Sequence, residues 1–343
     1  MRPLGFRESA QEEVLNREQQ ELLSRKISDL SLKIQGTRLE ALIGELHQEL
    51  GRAGISFNPK TYLADEWGCP HRVPVIGIPF YLANPQLSKL EGELTGIEAE
   101  DEAEVMMYLR HETGHAFNYA YRLFRKPEWR RVFGRFSQPY QDNYQPVPFS
   151  AKFVRHLPGW YAQKHPDEDF AETFAVWLTP DSDWRKQYAD TPAMAKLMYV
   201  DKIVSKYGQR PPVVSDEMLD TPVQELTMTL DKWYGAGGDT DHISLNLHHA
   251  LNNDLRRLFP AKQGQPAVDV LRANRIQLIR AVNHWTGINR EILSALINEL
   301  LERVQSLGLK IEPEQPATQM VSVSVFITTL VMNYLHRGQF VDT

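Results

Sequence analysis

Two histidines four positions apart, His111 and His115, with Glu112 beside the first, are the residues best equipped for chemistry. On a helix, residues four apart share one face, a turn apart. Two imidazoles so placed can grip one zinc ion. Glu112 then stands where it can take a proton from a metal-bound water. A catalytic zinc takes three protein ligands and leaves one position for water. The pattern therefore asks for a third ligand from elsewhere in the chain.

A third histidine further along the same helix is not available. The three-histidine pattern needs glycine and histidine where Asn118 and Tyr121 stand. A second helix, opened by Pro166 and running from Asp167 to Leu178, is the better source. Its apolar stripe is Phe170, Ala171, Phe174, Ala175 and Leu178. Glu168 falls at the rim of that stripe and Glu172 about 40° further round. Asp169 points about 100° away, towards solvent. Glu168 and Glu172 thus share a face that can meet the metal helix. One would bind the metal, and the other would accept the N–H of a ligand histidine and fix its tautomer. Without a cation, two carboxylates on one apolar seam repel each other.

The elements around these residues can be read coarsely. The metal helix is expected over 97–125, its first turns loaded with Glu98, Glu100, Asp101 and Glu102 to suit the dipole. Residues 8–28 read as a polar helix, and Leu30, Leu32 and Ile34 alternate like a short strand. Leu39, Leu42, Ile43, Leu46 and Leu50 repeat at helical spacing, with Gly51 as the stop. From Ile55 to Ala83 the chain is β-branched, aromatic and punctuated by Pro74 and Pro79, which predicts strands at a sheet edge. Such an edge could hold an extended peptide by main-chain pairing. Ser137–Pro166 is long, aromatic and irregular, as a cleft wall would be. Residues 192–206 read as a helix and 208–212 as a linker. Residues 213–343 read as mostly helical, with breaks at 235–241, 260–266 and 312–316. Cys69 and His71 could in principle regulate the metal site, but two such ligands do not make a site, and they read as loop residues. His156 and His165 flank the insertion and read as surface residues within reach of a substrate. His242, His248 and His249 have no completed ligand set and read as structural.

The bulk numbers set bounds. A chain of 343 residues suggests two domains. A hydrophobic share of 42% with 24% charged residues is that of a soluble globular protein. A net charge of -6 argues against a nucleic-acid partner. Cys69 is the single cysteine, so no internal disulfide forms, which fits a reducing compartment. The N-terminus has no apolar core of a secretory signal. The most apolar run, Met320–Leu335, is short and rich in Ser and Thr for a bilayer span. The expectation is a cytoplasmic protein without a membrane partner.

His111-Glu112-x-x-His115 followed by Glu168-Asp-Phe-Ala-Glu172-x-Phe174 resembles the gluzincin class of zinc metallopeptidases. It is similar to a bacterial family of zinc-binding metallopeptidases and to the catalytic domain of anthrax lethal factor. The resemblance spans residues 30–205 at most. It implies an α+β fold, with a zincin-like domain, taken as 1–208, that has a small mixed or antiparallel sheet and an active-site helix; the mostly helical residues 209–343 lie beyond the resemblance and read from their own pattern as a second domain. It implies that Glu168 is the third zinc ligand and that Glu172 holds a histidine. It also places Tyr161, seven residues before Glu168, as an oxyanion stabiliser. The 53 positions from His115 to Glu168 exceed the gap in thermolysin-like members, which implies an insertion beside the cleft. The expected activity is zinc-dependent hydrolysis of a peptide or protein substrate. The alternative is a zinc-stabilised interaction module without catalysis, binding a protein partner through residues 213–343. An open, water-bearing fourth position would mark the first, and a closed four-ligand site the second.

Overall fold

The computed structural model describes residues 17–95, 100–140, 146–215, 218–237, 247, 251–312 and 316–341. The elements around the candidate site are helices α1 (Arg17–Leu23) and α2 (Arg38–Arg52), strands β1 (Lys60–Ala64) and β2 (Val75–Pro79), and helices α3 (Pro85–Thr95), α4 (Glu102–Ala120), α5 (Pro127–Phe133), α6 (Pro166–Leu178), α7 (Trp184–Gln187), α8 (Ala193–Tyr207) and α9 (Leu230–Gly237). The remainder comprises α10 (Leu251–Leu258), β3 (Gln265–Pro266), α11 (Ala267–Ala273), α12 (Arg275–Thr286), α13 (Arg290–Ser306), β4 (Lys310–Ile311) and α14 (Pro316–Arg337).

The helices that matter for the site have clear local causes. Thr37 caps α2, accepting from the Leu39 N–H, and the stripe Leu39, Leu42, Ile43, Leu46 and Leu50 is buried. The helix runs just past Gly51, and Gly54, in the left-handed region, takes the turn instead. Helix α4 opens with a capping box: Glu104 N–H donates to Asp101 (2.9 Å) and Asp101 N–H to the Glu104 side chain (3.3 Å). It is shorter than the 97–125 expected. Arg122 turns left-handed after Tyr121, and the Asn118 side chain draws Phe124 N–H back (2.9 Å). Helix α6 has Pro166 in its first turn and an unusual cap, His165, whose Nδ1 accepts from Asp167 N–H (3.1 Å).

Two sequence expectations fail here. Leu30–Ile34 is not a strand. Residues Ile27–Leu30 form a 3-10 turn whose backbone pairs with Leu226 and Met228, so the alternation records side-chain packing only. β2 is not at a sheet edge: within pairing of the mixed kind, β1 runs parallel to it on one side, in register from Lys60↔Val75 to Ala64↔Pro79. The connection from Asp65 to Pro74 folds back so that Gly68 exchanges hydrogen bonds with Gly77 on the other side of β2 (2.7 and 3.3 Å). β2 is therefore buried along its whole length, and Gly68 meets the edge that a peptide would need. Antiparallel pairing within strands is confined, among the described residues, to β3 and β4.

Packing divides into two main hydrophobic clusters. The first takes in α2, β2, α4, α5, α6 and α8, and reaches on to Val223, Leu226 and Leu230. The second runs from Leu247 to Phe340. Among the described residues the change of core falls between 234 and 247. Residues 222–230 belong with the first core because Leu230 N–H bonds Arg25 and Ile27 N–H bonds Met228. Helix α14 is longer than the apolar run that announced it. By length and composition it could cross a membrane, while Val323, Ile327, Leu330 and Val331 are buried in the second cluster.

Candidate metal centre

Helices α4 and α6 form the most extensive contact around the site, and a glycine allows it. A Cβ at Gly114 would lie 2.7 Å from the Ala171 Cα, so the two backbones touch where a larger residue would hold them apart. Asn118 ties the same helices one turn on, donating to Asp167 Oδ1 (2.7 Å). This approach brings His111 and His115 over Glu168.

Three donor atoms then converge. His111 Nε2 and His115 Nε2 are 3.2 Å apart, and each lies 3.1 Å from Glu168 Oε2. All three residues are buried. The other face of each imidazole meets a carboxylate: His111 Nδ1 donates to Glu172 Oε1 (2.9 Å), and His115 Nδ1 lies 3.1 Å from Asp167 Oδ2. A proton held at each Nδ1 leaves both Nε2 lone pairs facing the Glu168 oxygen.

Three electron-rich atoms at such separations need shared positive charge. Burial pushes the His111 imidazole down, but Glu168 and Glu172 outweigh it and lift the group to about 9. Burial likewise opposes charge on His115, and Asp167 and Glu168 raise it well above its ordinary value. Burial alone would raise Glu168, yet the two imidazoles hold it well below the usual carboxylate range. Protons can supply that charge, and so can one divalent ion. Tetrahedral zinc with bonds of about 2.0–2.1 Å sets its ligands about 3.3 Å apart, close to the observed edges. The His–His–Glu group is thus suited to zinc in both geometry and donor chemistry.

Glu112 sits beside this group, buried, and no described residue donates a hydrogen bond to it. Burial raises its carboxyl, opposed by the imidazoles of His111 and His115. On its flank the Trp67 indole stacks on Tyr108 (5.3 Å, 13°) and donates to Glu100 (3.2 Å). The insertion contacts the residues behind His111. Backbone N–H groups of His156 (3.0 Å) and Leu157 (3.0 and 3.1 Å) bond Glu172, and the His156 ring bonds Met107 O (2.8 Å). The Tyr161 ring meets His111 edge-on at 5.6 Å. Tyr140 stacks on His165 at 4.0 Å. Its hydroxyl is pushed up by burial and by Glu168, to which it hydrogen-bonds. Lys164 Nζ lies 5.2 Å from the Tyr161 ring and 5.9 Å from that of Tyr140.

The structure brings His111, Glu112, His115, Glu168, Glu172 and Tyr161 to one place. His165 and His156 are scaffold residues rather than surface ones. Asp169 does not face solvent. It is buried and paired with Lys196 of α8 at 2.7 Å, because α6 is enclosed on all sides. Cys69 donates to Val73 O, and burial with Glu112 and Asp167 nearby pushes its thiol well up, so it stays a neutral thiol. The His71 ring stacks on Phe136. Neither belongs to the donor group. His242, His248 and His249 lie outside the described residues. Sequence reasoning missed Asp167, Asn118 and Tyr140. The available signal was arithmetic: two ligand imidazoles need two partners, and only Glu172 had been assigned as one.

Residues 99–257, which span both α4 and α6, match the model of a family described as "Putative zinc-binding metallo-peptidase". No curated protein and no solved structure matches the chain. The family match and the buried His–His–Glu group together fit a metallopeptidase.

Proposed function

We propose that this chain is a gluzincin-type zinc peptidase, in which His111, His115 and Glu168 hold the metal and Glu112 is the general base. The observation that carries the reading is Glu112 itself: a buried carboxylate with no described hydrogen-bond donor, adjoining a three-donor group. A structural zinc site has no use for such a residue, whereas hydrolysis requires one.

When bound, zinc would polarise the scissile carbonyl and acidify a water molecule. The protein's own groups do the rest. Glu112 accepts the proton of the attacking water and passes it to the leaving amine. Its burial raises its proton affinity towards the working range of a general base. Tyr161, whose ring meets that of His111 edge-on, would donate to the oxygen that gains charge. Glu172 and Asp167 hold the imidazoles in one tautomer and orientation. The Ser137–Pro166 insertion, tied to Glu172 through the His156 N–H, would supply a wall for an extended peptide.

X-ray absorption on the zinc-loaded protein tests this reading against a structural module. Two imidazoles, one carboxylate and an exchangeable oxygen are expected. A fourth protein ligand would overturn the catalytic assignment.

A further inference from the structure

One corner of the helical half grips both sides of the candidate site. The corner joins α12 to α13 and includes His284, Trp285, Gly287 and Arg290. Gly287 and Gly159 of the insertion meet backbone to backbone. A Cβ at Gly159 would lie 2.2 Å from the Gly287 Cα, and one at Gly287 would lie 2.3 Å from the Gly159 Cα. Both glycines have positive φ (81° and 69°), so both the conformation and the close approach call for glycine. Beside them the Arg155 guanidinium lies 3.9 Å from the Trp160 ring and 4.9 Å from the Trp285 ring, and donates to His284 O (3.5 Å). Phe149 meets both indoles, at 5.0 and 6.3 Å. On the other side Arg290 pairs with Glu104 (2.7 Å), and Arg280 reaches Asp101 (3.5 Å) and Glu104 (3.6 Å). Asp101 and Glu104 are the capping box of the histidine helix.

What this corner holds is close to the donor group. The insertion segment between Arg155 and Trp160 contains His156 and Leu157, whose N–H groups bond Glu172, and Glu172 holds His111. Tyr161 follows Trp160 directly and rests on the same imidazole. From Trp285 to His111 the path is therefore Trp285, Arg155, the 156–157 backbone, Glu172, His111, with every link a direct contact or a neighbour in the chain.

We propose that the α12–α13 corner is part of the metal site: Trp285 and Arg155 are positioning residues that fix the insertion and, through Glu172, the His111 ligand. The helical half is then a clamp on the site rather than an appended module. The consequence for zinc rests on the metal-centre reading above. The consequence for the insertion does not.

The test uses the full-length protein with Trp285→Ala, Arg155→Met and the conservative Trp285→Phe. Trp285 is 54% exposed, so its removal does not hollow a core. Amide exchange by mass spectrometry is read over 154–164, with α8 as internal reference, and zinc release is timed against a chelator. Trp285→Ala and Arg155→Met are expected to speed exchange over 154–164 and zinc release at least tenfold, with α8 unchanged and Trp285→Phe near wild type. Leu300→Ala, which loosens the second core away from the corner, should alter exchange only in the helical half. Wild-type exchange over 154–164 in both Trp285→Ala and Arg155→Met overturns the clamp. So does faster exchange spread equally over α8, which would mean general destabilisation. If the wild type binds no zinc, the metal-centre reading fails, and the exchange measurement still decides the clamp.

Discussion

Gly114 of α4 and Ala171 of α6 meet with no room for a methyl group: a Cβ on the first would sit 2.7 Å from the Cα of the second. The donor triangle depends on this contact, because His111 and His115 flank Gly114 and Glu168 lies one turn before Ala171. Gly114→Ala should push the helices apart. Overpacking of this kind costs about 1–3 kcal/mol, seen as a lower melting temperature. Zinc affinity should fall with it. A variant that melts and binds zinc like wild type would show that the contact is not what sets the triangle.

The two carboxylates behind the imidazoles should matter individually. Asp167→Asn and Glu172→Gln are each expected to weaken zinc about 10–100-fold, as loss of a ligand's supporting partner does. They should differ elsewhere. Glu172 also accepts from the 156–157 backbone, so its loss frees the insertion. Asp167 ties Asn118 and Tyr119, so its loss loosens the end of α4. Chelator competition with amide exchange separates the two patterns.

The imidazoles give the metal-free protein a signed pH dependence. Although burial opposes it, His111 is lifted from 6.5 to about 9 by Glu168 and Glu172. A group raised on folding contributes its full stability below the unfolded value and loses it as pH rises through the folded one. The metal-free protein should therefore lose stability between pH 6.5 and about 9. Zinc must displace these protons, so its affinity should climb over the same window. Thermal melts with and without zinc check both. A metal-free melting temperature that stays flat across the window contradicts the assignment.

The buried pair Asp169–Lys196 joins α6 to α8 at 2.7 Å. Removing one partner of a buried pair costs about 3–5 kcal/mol, so Lys196→Met should unfold at markedly lower urea. The penalty should shrink at mildly acid pH. Burial lifts Asp169 to about 7 even against Lys196, so below that value the carboxyl can be neutral. An equal penalty at pH 8 and pH 5 would show that Asp169 stays ionised at both.

What could be read in the sequence was what a single helix encodes. His111, Glu112 and His115 share a face by spacing alone, and Glu168 with Glu172 follow from the next helix and the resemblance. Asp167 escaped because an acid at a helix start already has a sufficient explanation in the dipole. Asp169 was misplaced because the helical wheel assumed one solvated face, and Lys196 comes from a different helix. The parallel pairing of β1 and β2 depends on how the Asp65–Pro74 connection folds back, which neither β propensity nor proline placement encodes. Arg155 and Trp285 lie 130 positions apart, and nothing local announces that they meet.

The central claim is that Glu112 takes the water's proton beside a zinc held by His111, His115 and Glu168. The most direct measurement compares wild type with Glu112→Gln, each assayed for zinc content and for cleavage of a proteome-derived peptide mixture by sequencing of new termini. Both proteins should carry one zinc per chain. Wild type should generate new termini, and the variant should be slower by about 10²–10⁴-fold, as loss of a general base implies. Equal cleavage by the two proteins would contradict the account.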